Sequence, residues 1–403
     1  MPDFPSPIEN QEAPEGELWL SEVRYQDPRS QLYVGSPGIL RLPDGALLAI
    51  HDYFGPQISD QNKNLRGLVA ICRSEDNGRT WRQVNQLMHA CWGALFQHEG
   101  KVYHLGNIGE YGPIAIRRSD DGGFTWTYPY DEHTGLLFPA GPSRQMPNWQ
   151  CIGPVAHLKG RFFEDIDDLV LGPGQWWIPK CFQACVISAP DDCDLLEAKN
   201  WSMSNHLPFD NSKVPDPSLV NPEYSGWLES SVFQAPDGTL ASMRRLHLAR
   251  PNKAALCQIS DDGTRIDFDY ATGIVDMPCA PSKFKIDFDP VSRLYVSLTN
   301  QVLGDWRTTR NRLILASSPD LRHWKCNRLL MWDKSGLDWK TSLESIGFQY
   351  TDWQFDGDDI IYLTRTAYDG AHTFHDSNRI TYNVIKDFRR WLKQEMPAAP
   401  VPK

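Results

Sequence analysis

Two stretches decide how this chain is read: Ser74-Glu75-Asp76-Asn77-Gly78-Arg79-Thr80-Trp81 and Ser119-Asp120-Asp121-Gly122-Gly123-Phe124-Thr125-Trp126. They share the pattern S-x-D-x-G-x-T-W, and each follows a short apolar run, Leu68 to Cys72 and Ile114 to Ile116. Such a segment makes a hairpin. Asp and Gly supply the tight turn, Ser and Thr satisfy its backbone, and the Trp packs between neighbouring sheets. Degenerate copies recur at Ser260 to Thr264, at Ser318 to Asp320 with Trp324, and, stretched, at Ser188 to Asp192 with Trp201.

A second hairpin lies upstream of each. Gly38 to Leu42 turns into Leu47 to Ile50 across Pro43-Asp44-Gly45, and Ser231 to Phe233 turns into Leu240 to Met243 across Pro236-Asp237-Gly238. Similar pairs occur at Ala94 to Tyr103, Phe284 to Val296 and Tyr350 to Tyr362. Units of four strands beginning near residues 36, 91, 150, 229, 283 and 348 predict an all-β fold, a six-bladed β-propeller with loop insertions. The stretch from Leu136 to Asp194 leaves room for a seventh sheet, and a pair of β-sandwiches is the competing architecture. The last unit supplies three strands, ending with Ile380 to Ile385, so Leu18 to Tyr25 is expected to close the ring as its outer strand. The domain reading is an extension over 1–14, one propeller over 15–392 and a tail over 393–403.

Composition excludes several classes. Of the 403 residues 41% are hydrophobic and 11% aromatic, which rules out a disordered chain, and no apolar run reaches the length of a membrane span. A net charge of -11 with scattered Lys and Arg disfavours nucleic-acid and anionic-membrane partners. The nine cysteines lack paired metal-ligand spacing, Cys181 and Cys185 included, and read as buried free thiols. The start, Met1 to Pro7, has no secretory pattern, which favours a cytoplasmic chain over one whose export signal has been trimmed. Oligomeric state stays open.

In a propeller the start of each innermost strand and the end of the second strand meet on one face near the axis. A register of about fifteen residues pairs Ser36 with His51, Trp92 with Asn107, Glu229 with Arg244, Lys285 with Asn300 and Tyr350 with Arg365. A funnel lined in this way is a polar binding site.

Here the sequence resembles the sialidase superfamily, whose propellers carry aspartate-box hairpins of this kind. The stretch Glu229 to Arg244 is similar to the sialidase element in which a Glu and an Arg face each other. The resemblance implies that Glu229 polarises a tyrosine nucleophile, Tyr350, and that Arg244 holds a substrate carboxylate. It departs in the first unit, where sialidases place an Arg-Ile-Pro element and this chain has Tyr33-Val34-Gly35-Ser36-Pro37-Gly38. His51-Asp52-Tyr53-Phe54-Gly55, Gly226-Trp227-Leu228-Glu229, Gly347 to Trp353 and His375-Asp376-Ser377-Asn378 resemble bacterial and fungal sialidase-like propellers. That wider group includes α-L-rhamnosidases and lyases acting on rhamnosyl-glucuronate ends. This implies a funnel His as the proton-transfer residue, with room for a calcium ion near the axis. The third unit departs, opening with Trp149-Gln150-Cys151 where a Tyr-His pair is expected.

The candidate catalytic residues are therefore His51, Glu229, Tyr350 and Asp352. Asp52, Trp92, Asn107, Arg244, Lys285, Arg365 and His375 are the candidate substrate contacts, and no metal ligands are assigned. Each has a structural alternative: a core His at 51, a turn at Asp52, an ion pair of Glu229 with Arg244, blade packing for Trp92 and Tyr350, a loop role for His375. Arg365 either binds a uronate or neutralises Asp352. Arg245 is assigned to blade packing, and the run Glu164-Asp165, Asp167-Asp168 to an exposed insertion. These readings converge on an exo-acting glycoside hydrolase or uronate lyase for an acidic or plant-type oligosaccharide, with a rhamnosyl-glucuronate-like substrate favoured. The alternatives are a sialidase-type hydrolase of another acidic sugar and a non-catalytic glycan-binding propeller, which would not need Glu229, His51 and Asp352 together.

Overall fold

The two eight-residue turns close in the same way. Ser74 Oγ donates to Asp76 (2.8 Å) and accepts from the Gly78 amide (2.8 Å), while Thr80 donates to Asp76 through both its amide and its hydroxyl. Ser119, Asp121, Gly123 and Thr125 repeat these four bonds. Each turn leaves the third strand of a sheet, and its Trp faces a neighbour: Trp81 meets Tyr382 of the last sheet edge-on at 5.5 Å.

The computed structural model describes residues 9–58, 67–141, 147–172, 175, 177–279, 281–304 and 309–399. Met1 to Pro7 and residues 400–403, which belong to the expected extension and tail, lie outside the described residues. Six antiparallel sheets form a β-propeller among the described residues. Their innermost strands are Gly38–Arg41, Ala90–His98, Ala156–Leu158 with Trp149–Gln150, Gly226–Gln234, Lys285–Asp289 and Gly347–Asp356. The stretch that left room for a seventh sheet is divided between two blades. Leu136–Phe138 is the outer strand of the second, and Arg161–Leu169 with Phe182–Pro190 form the middle of the third.

Ser21–Tyr25 pairs with Arg379–Ile385, so the first strand of the chain completes the last blade. Glu22 pairs with Arg379 at 2.8 Å, and Ser21 bonds the Trp81 indole of the first blade at 3.0 Å. Six main apolar clusters, one between each pair of adjacent blades, hold the ring. This follows from alternation along each strand, which gives every sheet two apolar faces. Trp201 and Trp324 belong to such clusters. All the cysteines are free thiols, buried except for Cys193 and Cys326. No helix among the described residues is long and apolar enough to cross a membrane.

Polar clamps near the axis join the blades. Asn107, at the end of the second strand of its blade, donates to the carbonyls of Gly112 (2.9 Å) and Trp149 (3.0 Å) and accepts from the Cys151 amide (2.8 Å). Asn300 does the same between the fifth and sixth blades, donating to the Phe348 carbonyl at 2.7 Å. Asn107 is fully buried with its amide taken up by backbone, so the substrate role expected of it is corrected to a structural one. Asn107→Ala removes three bonds and strands buried backbone groups, and is expected to lower unfolding stability by about 2–4 kcal/mol. Urea unfolding measures this, and an unchanged midpoint would contradict the clamp.

Candidate active site

Three inner strands carry the same irregularity. In the second, fourth and sixth blades the pairing register slips by one residue near the strand start, between Cys91 and Ala94, Leu228 and Ser230, and Gln349 and Asp352. The extra residue is left-handed each time: Trp92 (φ 56°), Glu229 (φ 53°) and Tyr350 (φ 53°). Side chains other than glycine pay about 1–3 kcal/mol for this conformation, and it clusters where a side chain must be re-aimed. All three line one cavity of about 700 Å³, together with Asp52, Arg365 and His375.

Within it, Tyr350 Oη donates to Glu229 Oε1 at 2.8 Å. Arg245 Nη1 donates to Glu229 Oε2 at 2.6 Å and lies 3.4 Å from Tyr350 Oη. Arg310 and Arg365 flank the same phenol, their guanidinium carbons 5.7 and 5.0 Å from its ring centre. Burial pushes the Glu229 carboxyl up, but Arg245 and the bonds from Arg245 and Tyr350 outweigh it and hold the group below its ordinary value. Burial and Glu229 raise the Tyr350 phenol against the pull of the three arginines.

Asp52 faces the same space. Its Oδ1 accepts the Ser36 amide at 2.5 Å, and the Trp92 amide also bonds to its carboxylate. Gly35 admits it, since any Cβ there would fall 1.9 Å from Oδ1. Burial raises its pKa, opposed by Arg365 and those amides.

Several expected residues are placed elsewhere. The bulge at Glu229 shifts the register, setting Leu228 opposite Arg245 and Ser230 opposite Arg244. Arg244 therefore turns away from Glu229 and bonds Asp165 and Asp167. Arg245, assigned to packing, is the residue that meets Glu229. The carboxylate-holding position expected of Arg244 is corrected accordingly. His51 is buried outside the cavity lining, its ring edge-on to Tyr53 at 4.8 Å and its imidazole lowered to about 4 by burial. Strand alternation sends Asp52 inward and His51 outward. Asp352 accepts from the Ile39 amide (2.9 Å) and from Lys285 (3.2 Å), tying three blades together instead of lining the cavity. Lys285 lines a separate groove, lined also by Val232 and Phe288. Arg365 does not neutralise Asp352: its guanidinium donates to the His375 carbonyl and lies 4.5 Å from the Phe54 ring centre. Arg310 went unrecognised in the sequence because it precedes a strand and belongs to no hairpin.

The carboxyl run from Glu164 to Asp168 is no exposed insertion. It is the fully buried second strand of the third blade. Asp167 accepts the Glu229 amide at 2.8 Å, and Asp168 the Asn148 amide at 3.0 Å. Burial raises Glu164 to about 8 and Asp167 to about 7. Among the described residues no group of three or more acidic, His or Cys side chains is arranged to hold a metal ion.

No family model and no curated protein sequence matches this chain. Solved structures do match. An α-L-arabinanase of Penicillium chrysogenum complexed with arabinobiose superposes with a TM-score of 0.56 over 94% of this chain and 100% of that one, at 13% identity. A Hadza microbial sialidase gives 0.57 over 91% of this chain and 68% of that one, at 15% identity. Trypanosoma rangeli sialidase gives 0.58 over 95% and 60%, at 14% identity. The fold is that of the sialidase-like propellers. Identities this low carry the fold and leave activity to the site.

The buried carboxyls set a pH dependence. Glu164 and Asp167 keep their protons in the folded chain far above their unfolded values, so the stability they contribute is complete below about pH 4 and is lost as pH rises through about 7 and 8. His51 (about 4) and His104 (about 3) act oppositely, with stability lost as pH falls below the ordinary histidine value of 6.5. The melting temperature is therefore expected to fall between about pH 6.5 and 8.5, and Glu164→Gln to flatten the upper part of that fall. A melting temperature that climbs across this interval would contradict the assignment.

Proposed function

We propose that the protein is an exo-acting glycosidase that removes a terminal sugar from an acidic oligosaccharide. One observation carries the reading: a tyrosine and a glutamate, each on a left-handed bulge, share a 2.8 Å hydrogen bond in a cavity that also holds a buried aspartate. Tyr350 Oη attacks the anomeric carbon and passes its proton to Glu229, while Asp52 protonates the leaving oxygen. In the second half Asp52 takes a proton from water, the water oxygen displaces the phenol, and Tyr350 recovers its proton from Glu229. Two displacements retain the anomeric configuration.

Charge supports an anionic substrate. Arg245, Arg310 and Arg365 converge on Tyr350, with Glu229 and Asp52 beside them, Glu110 elsewhere in the cavity lining and Asp376 near Arg365. Burial holds the Arg310 and Arg365 guanidiniums below their ordinary values, so a substrate carboxylate beside them would offset the cost of desolvating their charge. Arg365 lines the cavity and supplies, from the sixth blade, a guanidinium that the first blade lacks. The sequence resemblance offers a rhamnosyl-glucuronate end as a narrower candidate, in which the terminal sugar is neutral and the uronate lies on the leaving-group side. The arabinanase and sialidases of the same fold are glycosidases by name, in keeping with the reaction type.

The test is a panel of oligosaccharides with uronate, rhamnosyl-glucuronate and nonulosonate ends, read by chromatography of released sugars and by ultraviolet absorbance. Sugar release without an absorbing unsaturated uronate is expected. Absorbing product would mean elimination, and no product from any member would overturn the enzyme reading. Glu229→Gln and Tyr350→Phe are each expected to lower kcat by about 10³-fold or more with the fold intact by circular dichroism.

The pH profile of kcat/KM is expected to be bell-shaped. The acid limb, from protonation of Glu229, lies below the ordinary value of 4.5, and the basic limb, from ionisation of Asp52, lies above the ordinary 3.8. Asp52→Asn should remove the basic limb and spare activated aryl glycosides relative to natural substrates. Equal losses on both would remove Asp52 from the acid role.

A further inference from the structure

The cavity has two chemically different halves. The arginines, Glu229 and Tyr350 come from the fourth, fifth and sixth blades, and the opposite wall is built by the second and third. There Trp92, Tyr111, Leu171 and Trp177 line the space with Gln150. These side chains rest on a separate apolar cluster of buried Leu169, Phe182 and Leu228 beneath the cavity. Both indoles are held edge-on, Trp92 against Tyr111 (5.0 Å, 77°) and Trp177 against Phe182 (5.5 Å, 74°). Tyr111 is buried, yet Trp92 and Trp177 each keep part of their surface open.

An indole fixed in orientation and left partly bare inside a cavity is a stacking surface for the C–H face of a sugar ring. The ionisable residue lining this wall, Glu110, is acidic, which disfavours an anion. Asp52 stands at the boundary, bonded to the Trp92 amide on one side and facing the charge of Arg365 on the other.

We infer that the wall formed by Trp92, Tyr111 and Trp177 is a second subsite that binds a neutral pyranose ring, so that the substrate joins an acidic sugar in the cationic half to a neutral sugar in the aromatic half. This rests on the proposed function for the site of bond cleavage. The neutral subsite itself stands on the aromatic wall. Placed so, the linking oxygen falls beside Asp52, the group that would protonate it. Gln150 supplies an amide for hydroxyl groups at the ring edge.

Saturation-transfer NMR on the full chain tests this with two probes, sodium glucuronate and methyl β-galactoside. Both are expected to bind, and neither to displace the other. Trp177→Ala should weaken methyl β-galactoside about tenfold or more while glucuronate affinity changes less than about twofold. Trp177→Phe, which keeps a ring and the fold, should retain part of the galactoside affinity. Arg365→Gln should have the opposite selectivity. Mutual displacement of the probes, failure of the galactoside to bind, or loss of both affinities together in the folded Trp177→Phe variant would overturn the neutral subsite. Galactoside binding with no glucuronate binding would instead overturn the acidic half of the proposed function and leave the aromatic subsite standing.

Discussion

One backbone constraint organises the site: a single extra residue, forced into the left-handed region, near the start of the inner strand in alternate blades. A regular strand sends successive side chains to opposite faces, where in a propeller they enter the apolar layers between blades. The bulge breaks that alternation at Trp92, Glu229 and Tyr350 and turns each side chain toward the axis instead. None of the three is a glycine, so each carries strain that the surrounding sheet must over-determine. The neighbouring blades do this with hydrogen bonds to the irregular backbone. Asp52 takes the Trp92 amide and Asp167 takes the Glu229 amide.

Those supports explain why so much charge is buried around the axis. A carboxylate that accepts a backbone amide has to be desolvated beside it, and it must be either paired or protonated. Asp165 and Asp167 share Arg244, Asp352 meets Lys285, and burial favours the protonated form of Glu164. Arg244 and Arg245 are adjacent in sequence and serve opposite ends of this system. One neutralises the carboxyls that hold the Glu229 backbone, and the other engages the Glu229 side chain. Glu229 is therefore positioned from two sides by consecutive residues of one strand.

The fold was legible because its signals are local. A turn such as Ser74 to Trp81 closes on its own side chains, and the closing strand, Leu18 to Tyr25 in the sequence reading and Ser21–Tyr25 in the structure, follows from counting strands. Glu229, Tyr350 and Trp92 were legible for the same reason, each opening a recognisable unit. Two of the misplacements, at Arg244 and at His51, share one physical cause. Facing in a strand reverses with every residue, so an unseen bulge exchanges Arg244 with Arg245, and a register set one residue early exchanges His51 with Asp52. Arg310 comes from a loop, where no periodicity points. The Glu164 to Asp168 run was misread because composition places charged runs outside, and only the fold shows that the propeller axis brings Arg244 and Lys283 close to them.

The same geometry accounts for a cavity with two characters. Five of the six blades contribute separate short segments to the cavity lining, so its chemistry changes from blade to blade without disturbing the apolar layers between sheets. Blades joined through backbone clamps tolerate such differences, because a clamp such as Asn107 bonds main-chain groups whose positions do not depend on what the bulge displays. A bulge bearing Trp, Glu or Tyr then has one structural role and, in the proposed function, three chemical ones: a stacking surface, a base and a nucleophile. Asp52, fixed between the Trp92 amide and Arg365, is the point where the aromatic and cationic sectors meet. The proposed reaction needs its proton donor there, because a bond joining an acidic to a neutral sugar would have to cross that boundary.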